Sequence, residues 1–189
     1  MYRIEVGQAD LAASRFGVAP LLETMSAAGL AAGRVPAGPL RPWAERARPR
    51  YRAVADDPAV RALAFLRRRY GYMADFVCPP PARPNLTVAA QLATVRATPL
   101  DRARREIARN LDGLPEPDAA VRAVLDAPDM VERLATGLER AWQALLEPDW
   151  PVLRSIVEAT SPTAPAAWPP TAGRRPSTAC PARCAGATG

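Results

Sequence analysis

A chain of 189 residues with 25 basic residues, none of them lysine, and with no histidine at all cannot build a Ser–His, Cys–His or Ser–Lys nucleophile unit. The net charge is +6, but Arg174, Arg175 and Arg183 lie in a final stretch without acids, which leaves the preceding body at +3. Arg, Ala, Pro and Gly share GC-rich codons, so the charge reads first as solvated arginine faces and second as a basic patch.

The opening MYRIEVGQAD lacks the apolar run of a signal peptide. No stretch of about 18 apolar residues exists to span a membrane. Cys78, Cys180 and Cys184 are an odd number, and a reducing cytoplasm is their simplest setting.

Tyr2–Val6 alternates apolar and polar residues and predicts one short N-terminal strand. A lone strand leaves its ladder unpaired, so a second strand is expected in a loop or outside this chain. Helix signals follow over Ala9–Phe16 and Pro20–Leu30. Gly29 to Pro39 reads as a loop. Pro42–Val54 is expected to be helical, kinked or broken at Pro49. A polar or acidic residue followed by Pro then marks helix starts at Asp57–Pro58, Thr98–Pro99 and Glu116–Pro117. Thr98 and Asp101 have near capping-box spacing. The strong helices are Pro58–Tyr70, Leu86–Ala97, Pro99–Leu111, Pro117–Ala127, Asp129–Glu147 and Trp150–Ala159. Tyr70–Pro84 is an aromatic, Pro-rich connector. The fold class is therefore mainly α, a multi-helix bundle-like domain over residues 1–159.

Thr160 to Gly189 has no Leu, Ile, Val, Met, Phe, Asp or Glu, and is expected to be a disordered tail. The helix before it has no capping signal at its end and reads as cut in mid-course.

No catalytic, cofactor-binding or metal-binding residues emerge, and an enzyme is not expected. Asp56 and Asp57 resemble a carboxylate pair, but their place before Pro58 makes them helix-capping residues. Cys180 and Cys184 lack a histidine partner for a metal, and Cys78 reads as a small buried residue. Gly29, Gly33 and Gly38 fit no phosphate loop. Arg67–Arg68–Arg69 with Tyr70 and Tyr72 could track a phosphate backbone, or could close a helix end. Trp43, Trp142 and Trp150 sit in apolar stripes and read as core rather than as a ligand platform. No convincing helix-turn-helix appears.

Several stretches match a known pattern in order. Asp10–Leu11–Ala12, Ser14–Arg15–Phe16, Pro20–Leu21 and Glu23 come first. Gly71–Tyr72, Asp75–Phe76 and Pro79–Pro80 follow, then Val95–Arg96–Ala97–Thr98–Pro99. Trp142, Leu146, Pro148, Trp150–Pro151, Leu153–Arg154 and Glu158–Ala159 close the set. This order resembles ArsR-like winged-helix transcriptional regulators of high-GC bacteria. Ala74 and Cys78 depart from it, where that family often has Pro and Thr. The resemblance covers residues 1–159 and implies a helical N-terminal regulatory or dimerisation domain. The winged helix-turn-helix that reads operator DNA would lie further on.

The resemblance also implies a continuation Asp-Val-Ala-Tyr-Arg-Ala-Arg after Ala159. A one-base slip there would build each codon from a wobble base and the first two bases of a tail codon. AC from Thr160 permits Asp, TC from Ser161 permits Val, CC from Pro162 permits Ala and AC from Thr163 permits Tyr. GC from Ala164, CC from Pro165 and GC from Ala166 permit Arg, Ala and Arg. The expectation is a frameshifted, truncated regulator with an out-of-frame tail. By resemblance the full-length protein would be a homodimer on operator DNA, with a small-molecule effector left open. This chain itself is not expected to bind DNA specifically, for want of a recognition helix. A stand-alone helical module for a small molecule or a protein partner is the alternative.

Overall fold

The computed structural model describes residues 5–13, 17–67, 72–82 and 86–160. Its helices are α1 (Gln8–Ala13), α2 (Pro20–Ala31), α3 (Arg41–Arg52), α4 (Pro58–Leu66), α5 (Val88–Arg96), α6 (Leu100–Leu111), α7 (Ala119–Leu125), α8 (Met130–Leu145) and α9 (Trp150–Thr160). Short 3₁₀ turns stand at Gly38–Leu40, Asp75–Val77 and Glu147–Asp149. No strand occurs among the described residues. The expected strand at Tyr2–Val6 is thus not supported. Glu5 and Val6 lie outside regular structure, and residues 2–4 fall outside the described residues. Without a described strand beside them, Glu5 and Val6 have no ladder to join among the described residues. Of the expected tail, Thr160–Gly189, Thr160 ends α9 and residues 161–189 lie outside the described residues.

α8 is the axis of the bundle. α2, α3, α4, α5, α6 and α7 all pack on it. Its sequence explains this: Met130, Leu134, Leu138, Ala141 and Leu145 recur at helical spacing, and Val131, Ala135 and Trp142 widen the stripe beyond one face. The main core joins its first two-thirds to Leu21 and Met25 of α2, Leu63 and Leu66 of α4, and Leu92 of α5. A smaller core gathers Trp142, Leu145 and Leu146 with Ala27 and Ala31 of α2 and Ala47 of α3. The tightest crossing is α4 on α8. A Cβ placed on Gly137 would stand 2.9 Å from Ala59 Cβ and 3.0 Å from the Ala59 carbonyl carbon.

Local chemistry sets several boundaries. Asp57 accepts from the backbone N–H of Ala59 (2.9 Å) and Val60 (3.2 Å), which caps α4 ahead of Pro58. α2 closes where Gly33 (φ 71°) lets Arg34 N–H reach the Gly29 carbonyl at 2.9 Å and Gly33 N–H reach Leu30 at 3.0 Å. Other expectations shift. α3 runs through Pro49 unbroken, because Ala44, Ala47 and Tyr51 lie on one face that packs on both sides of the proline in sequence, with Ala47 and Tyr51 in the smaller core. The capping box at Thr98 does not form. The Thr98 hydroxyl turns back onto the Thr94 carbonyl at 3.4 Å, and Asp101 pairs with Arg105 at 2.7 Å. Asp118, not the Glu116–Pro117 pair, caps α7 through the N–H groups of Ala120 and Val121. α4 stops at Leu66, short of the expected Tyr70, and residues 68–70 are outside the described set.

Two buried amides tie distant segments together. Gln91 accepts from the Leu21 N–H (3.0 Å), a free donor in the first turn of α2, and donates to the Pro79 carbonyl (3.2 Å). Asn110 donates to the Leu66 carbonyl (3.2 Å) at the end of α4 and to the Tyr72 carbonyl (2.8 Å). The connector is further held to α6. Glu106 accepts from the Phe76 N–H at 2.8 Å, and the Arg109 guanidinium lies 4.1 Å over the Tyr72 ring.

Candidate functional site

The α8–α9 corner is the most specialised joint. Pro148 and Pro151 both occupy first-turn positions, where the missing N–H costs nothing. That punctuation turns the chain and brings Trp150 edge-on to Trp142, with ring centroids 4.8 Å apart and planes at 70°. Trp43 of α3 donates its indole N–H to Asp149 Oδ2 at 2.9 Å, and Arg50 Nη2 donates to the same oxygen at 2.7 Å. The three tryptophans singled out in the sequence thus belong to one packed cluster. Asp149, which joins α3 to the corner, was not legible as its partner.

Hydrogen bonding from Arg50, with help from Trp43, holds the Asp149 carboxyl below the usual carboxylate range. Its stabilising contribution is therefore complete above the unfolded value of about 4 and fades as pH falls through the folded one. Asp149→Asn should destabilise by about 1 kcal/mol or less at pH 7, since the pair is partly solvated. The gap to the parent protein should close below about pH 4 in urea titrations. A gap of constant size across pH 3 to 7 would contradict the assignment.

The outer face of α9 is apolar and open. Val152 is 64% and Ile156 55% exposed, one turn apart, while Leu153 turns toward the smaller core.

Among the described residues, hollows also lie elsewhere. One lies between α2, α4 and α8. Arg34 donates to the Ala64 carbonyl at 2.5 Å and Arg67 to the Met25 carbonyl at 2.8 Å along its edge. Its volume is only about 20 Å³, room for one water and no effector. The other is an open groove of about 390 Å³, with Ile107, Leu111, Leu125 and Met130 as floor and Arg104 and Asp126 at the rim.

Of the remaining singled-out residues, Asp57, Tyr72, Arg67 and Cys78 have structural partners. Asp57 caps α4 and pairs with Arg140. Tyr72 donates to Asp75 at 3.2 Å. Arg67 reaches across to α2, whereas Arg68 and Arg69 are outside the described residues. Cys78 is half-buried, contacts the Leu21 carbonyl at 3.6 Å, and burial pushes its thiol up to about 12. Cys180 and Cys184 fall outside the described residues. Among the described residues, no three His, Cys, Asp or Glu side chains gather in a metal-binding cluster, and no helix is long and apolar enough to cross a membrane. Compared with known protein families, curated proteins and solved structures, the chain matches none.

Proposed function

We propose that residues 1–159 are the N-terminal regulatory and dimerisation domain of an ArsR-like transcriptional regulator, whose DNA-reading winged helix-turn-helix is not carried by this chain. The tail from Thr160 would then be an out-of-frame peptide, and the site of action the cytoplasm. The observation that favours this reading is α9. Its inner face is fixed by the tryptophan corner, while the side chains of Val152 and Ile156 are exposed on its outer face. A firmly seated helix with an open apolar face suits a joint to a second body. A second copy of this domain fits a homodimer, the commonest closed assembly.

Two experiments test it. Resequencing the DNA across codon 159 should reveal another frame that continues into a winged helix; its absence would end the regulator reading. Sedimentation of the protein should show a dimer, and the double variant Val152→Glu, Ile156→Glu should weaken it by about tenfold or more. A monomeric parent chain would remove the dimerisation role. The alternative is a stand-alone helical binding module. It draws on the 390 Å³ groove and expects saturable binding of a small apolar compound or a partner helix that Leu111→Glu abolishes.

A further inference from the structure

Most arginines among the described residues already have a partner. Arg61, Arg96, Arg102, Arg105, Arg122 and Arg133, among others, each face a carboxylate. Arg34 and Arg67 hold backbone carbonyls, and Arg109 lies on a ring. α3 breaks that pattern. It carries five arginines and one acid, Glu45. Arg50 pairs with Asp149, and Arg46 acts on the same carboxylate from farther off. The exposed side chains of Arg41, Arg48 and Arg52 have no ion pair or hydrogen bond among the described residues. At 3.6 residues per turn these three fall within a sector of about 40°. They form a straight stripe about 16 Å long at 1.5 Å per residue, with the exposed Glu45 beside it about 40° round the helix from Arg41.

We propose that this stripe on α3 binds the phosphate backbone of double-stranded nucleic acid without regard to base sequence. The regulator assignment plays no part in this; the stripe alone carries it. Duplex DNA presents a phosphate charge roughly every 1.7 Å of axis, and guanidinium forks match phosphate oxygens in pairs. The outer face of α3 offers no aromatic or amide side chain to read bases, so the contact is to the backbone. An anionic membrane is a poor fit. The apolar side of α3, with Ala44, Ala47 and Tyr51, is committed to the protein, and Leu40 alone is too little to insert. An acidic protein is a poor fit too, since the stripe has no apolar centre on which to dock.

The test uses the full 189-residue chain and a fluorescein-labelled duplex of arbitrary sequence, read by anisotropy from low to moderate salt. The triple variant Arg41→Gln, Arg48→Gln, Arg52→Gln should bind about tenfold or more weakly at low salt. Its log–log salt slope should be shallower by about 2.7, the release expected for three phosphate contacts. The matching triple Lys variant should keep the slope. Arg133→Gln, which removes an exposed arginine of α8 that pairs with Asp129, should leave binding unchanged. A parent chain that does not bind the duplex at low salt overturns the proposal, as does a Gln variant with parental affinity and slope. Loss of binding to phosphatidylserine vesicles with DNA binding intact would also overturn it, in favour of a membrane surface.

Discussion

Trp142→Ala should lower the unfolding free energy by about 3–5 kcal/mol. The indole is 6% exposed and forms the centre of the smaller core, against Ala27, Ala31, Ala47 and Leu145. Its removal leaves a cavity that the three alanines and Leu145 cannot fill. It also takes away the edge-to-face partner of Trp150, a contact worth about 0.5–1.5 kcal/mol beyond area. α9 should suffer more than the rest, because its described packing runs mainly through this corner. Urea unfolding followed at two wavelengths checks both points. Far-ultraviolet dichroism reports the midpoint, and the near-ultraviolet tryptophan band reports the corner. Trp142→Phe should recover much of the loss. A cost under about 1 kcal/mol for the alanine variant would mean the corner is soft.

Gly137→Val carries the second large effect, at the upper end of the roughly 1–3 kcal/mol usual for overpacking. The first added carbon already meets Ala59 Cβ at 2.9 Å, the Ala59 backbone at 3.0 Å and Leu63 Cδ1 at 3.1 Å. A backbone atom cannot swing aside as a side-chain tip can, so α4 must slide off α8. Gly137→Ala is the sharper diagnostic. In an open helix it would gain about 1 kcal/mol of propensity. At this crossing the clash should outweigh that gain and leave the variant less stable by about 1 kcal/mol, a fall in Tm of about 2–4 °C for a domain of this size. A rise in Tm would show that the two helices stand farther apart.

The sequence announces most helices because their signals are local. Asp57–Pro58 specifies a start through an oxygen and a ring within two residues of each other, and the structure uses both. The stripe of α8 is equally plain. What stays hidden is the polar stapling between helices. Gln91 meets Leu21 across 70 residues, Asn110 meets Leu66 across 44, and Trp43 meets Asp149 across 106. No periodicity carries such pairs, since either partner alone looks like an ordinary surface amide or acid. The tryptophans could be assigned to the interior from their apolar neighbours. Their meeting at one corner depended on α3 crossing α8, which only the tertiary arrangement supplies. Thr98 failed as a cap for a similar reason: its hydroxyl had a competing acceptor one turn back in α5. The strand at Tyr2–Val6 is not supported, and Glu5 and Val6 show that β-propensity has force only beside another strand.

The placement of α8 has a consequence for biosynthesis. α2 and α8 are in direct contact, yet residues 32–129 separate them in the chain. During translation, which runs from the N-terminus at about 5–20 residues per second, α2 to α7 emerge before the helix they surround. They wait for several seconds with Leu21, Leu63 and Leu92 unshielded. Folding is therefore expected to be a late, single closure once Leu145 clears the ribosome, and a nascent chain arrested before Met130 should be a substrate for chaperones rather than a partly built bundle.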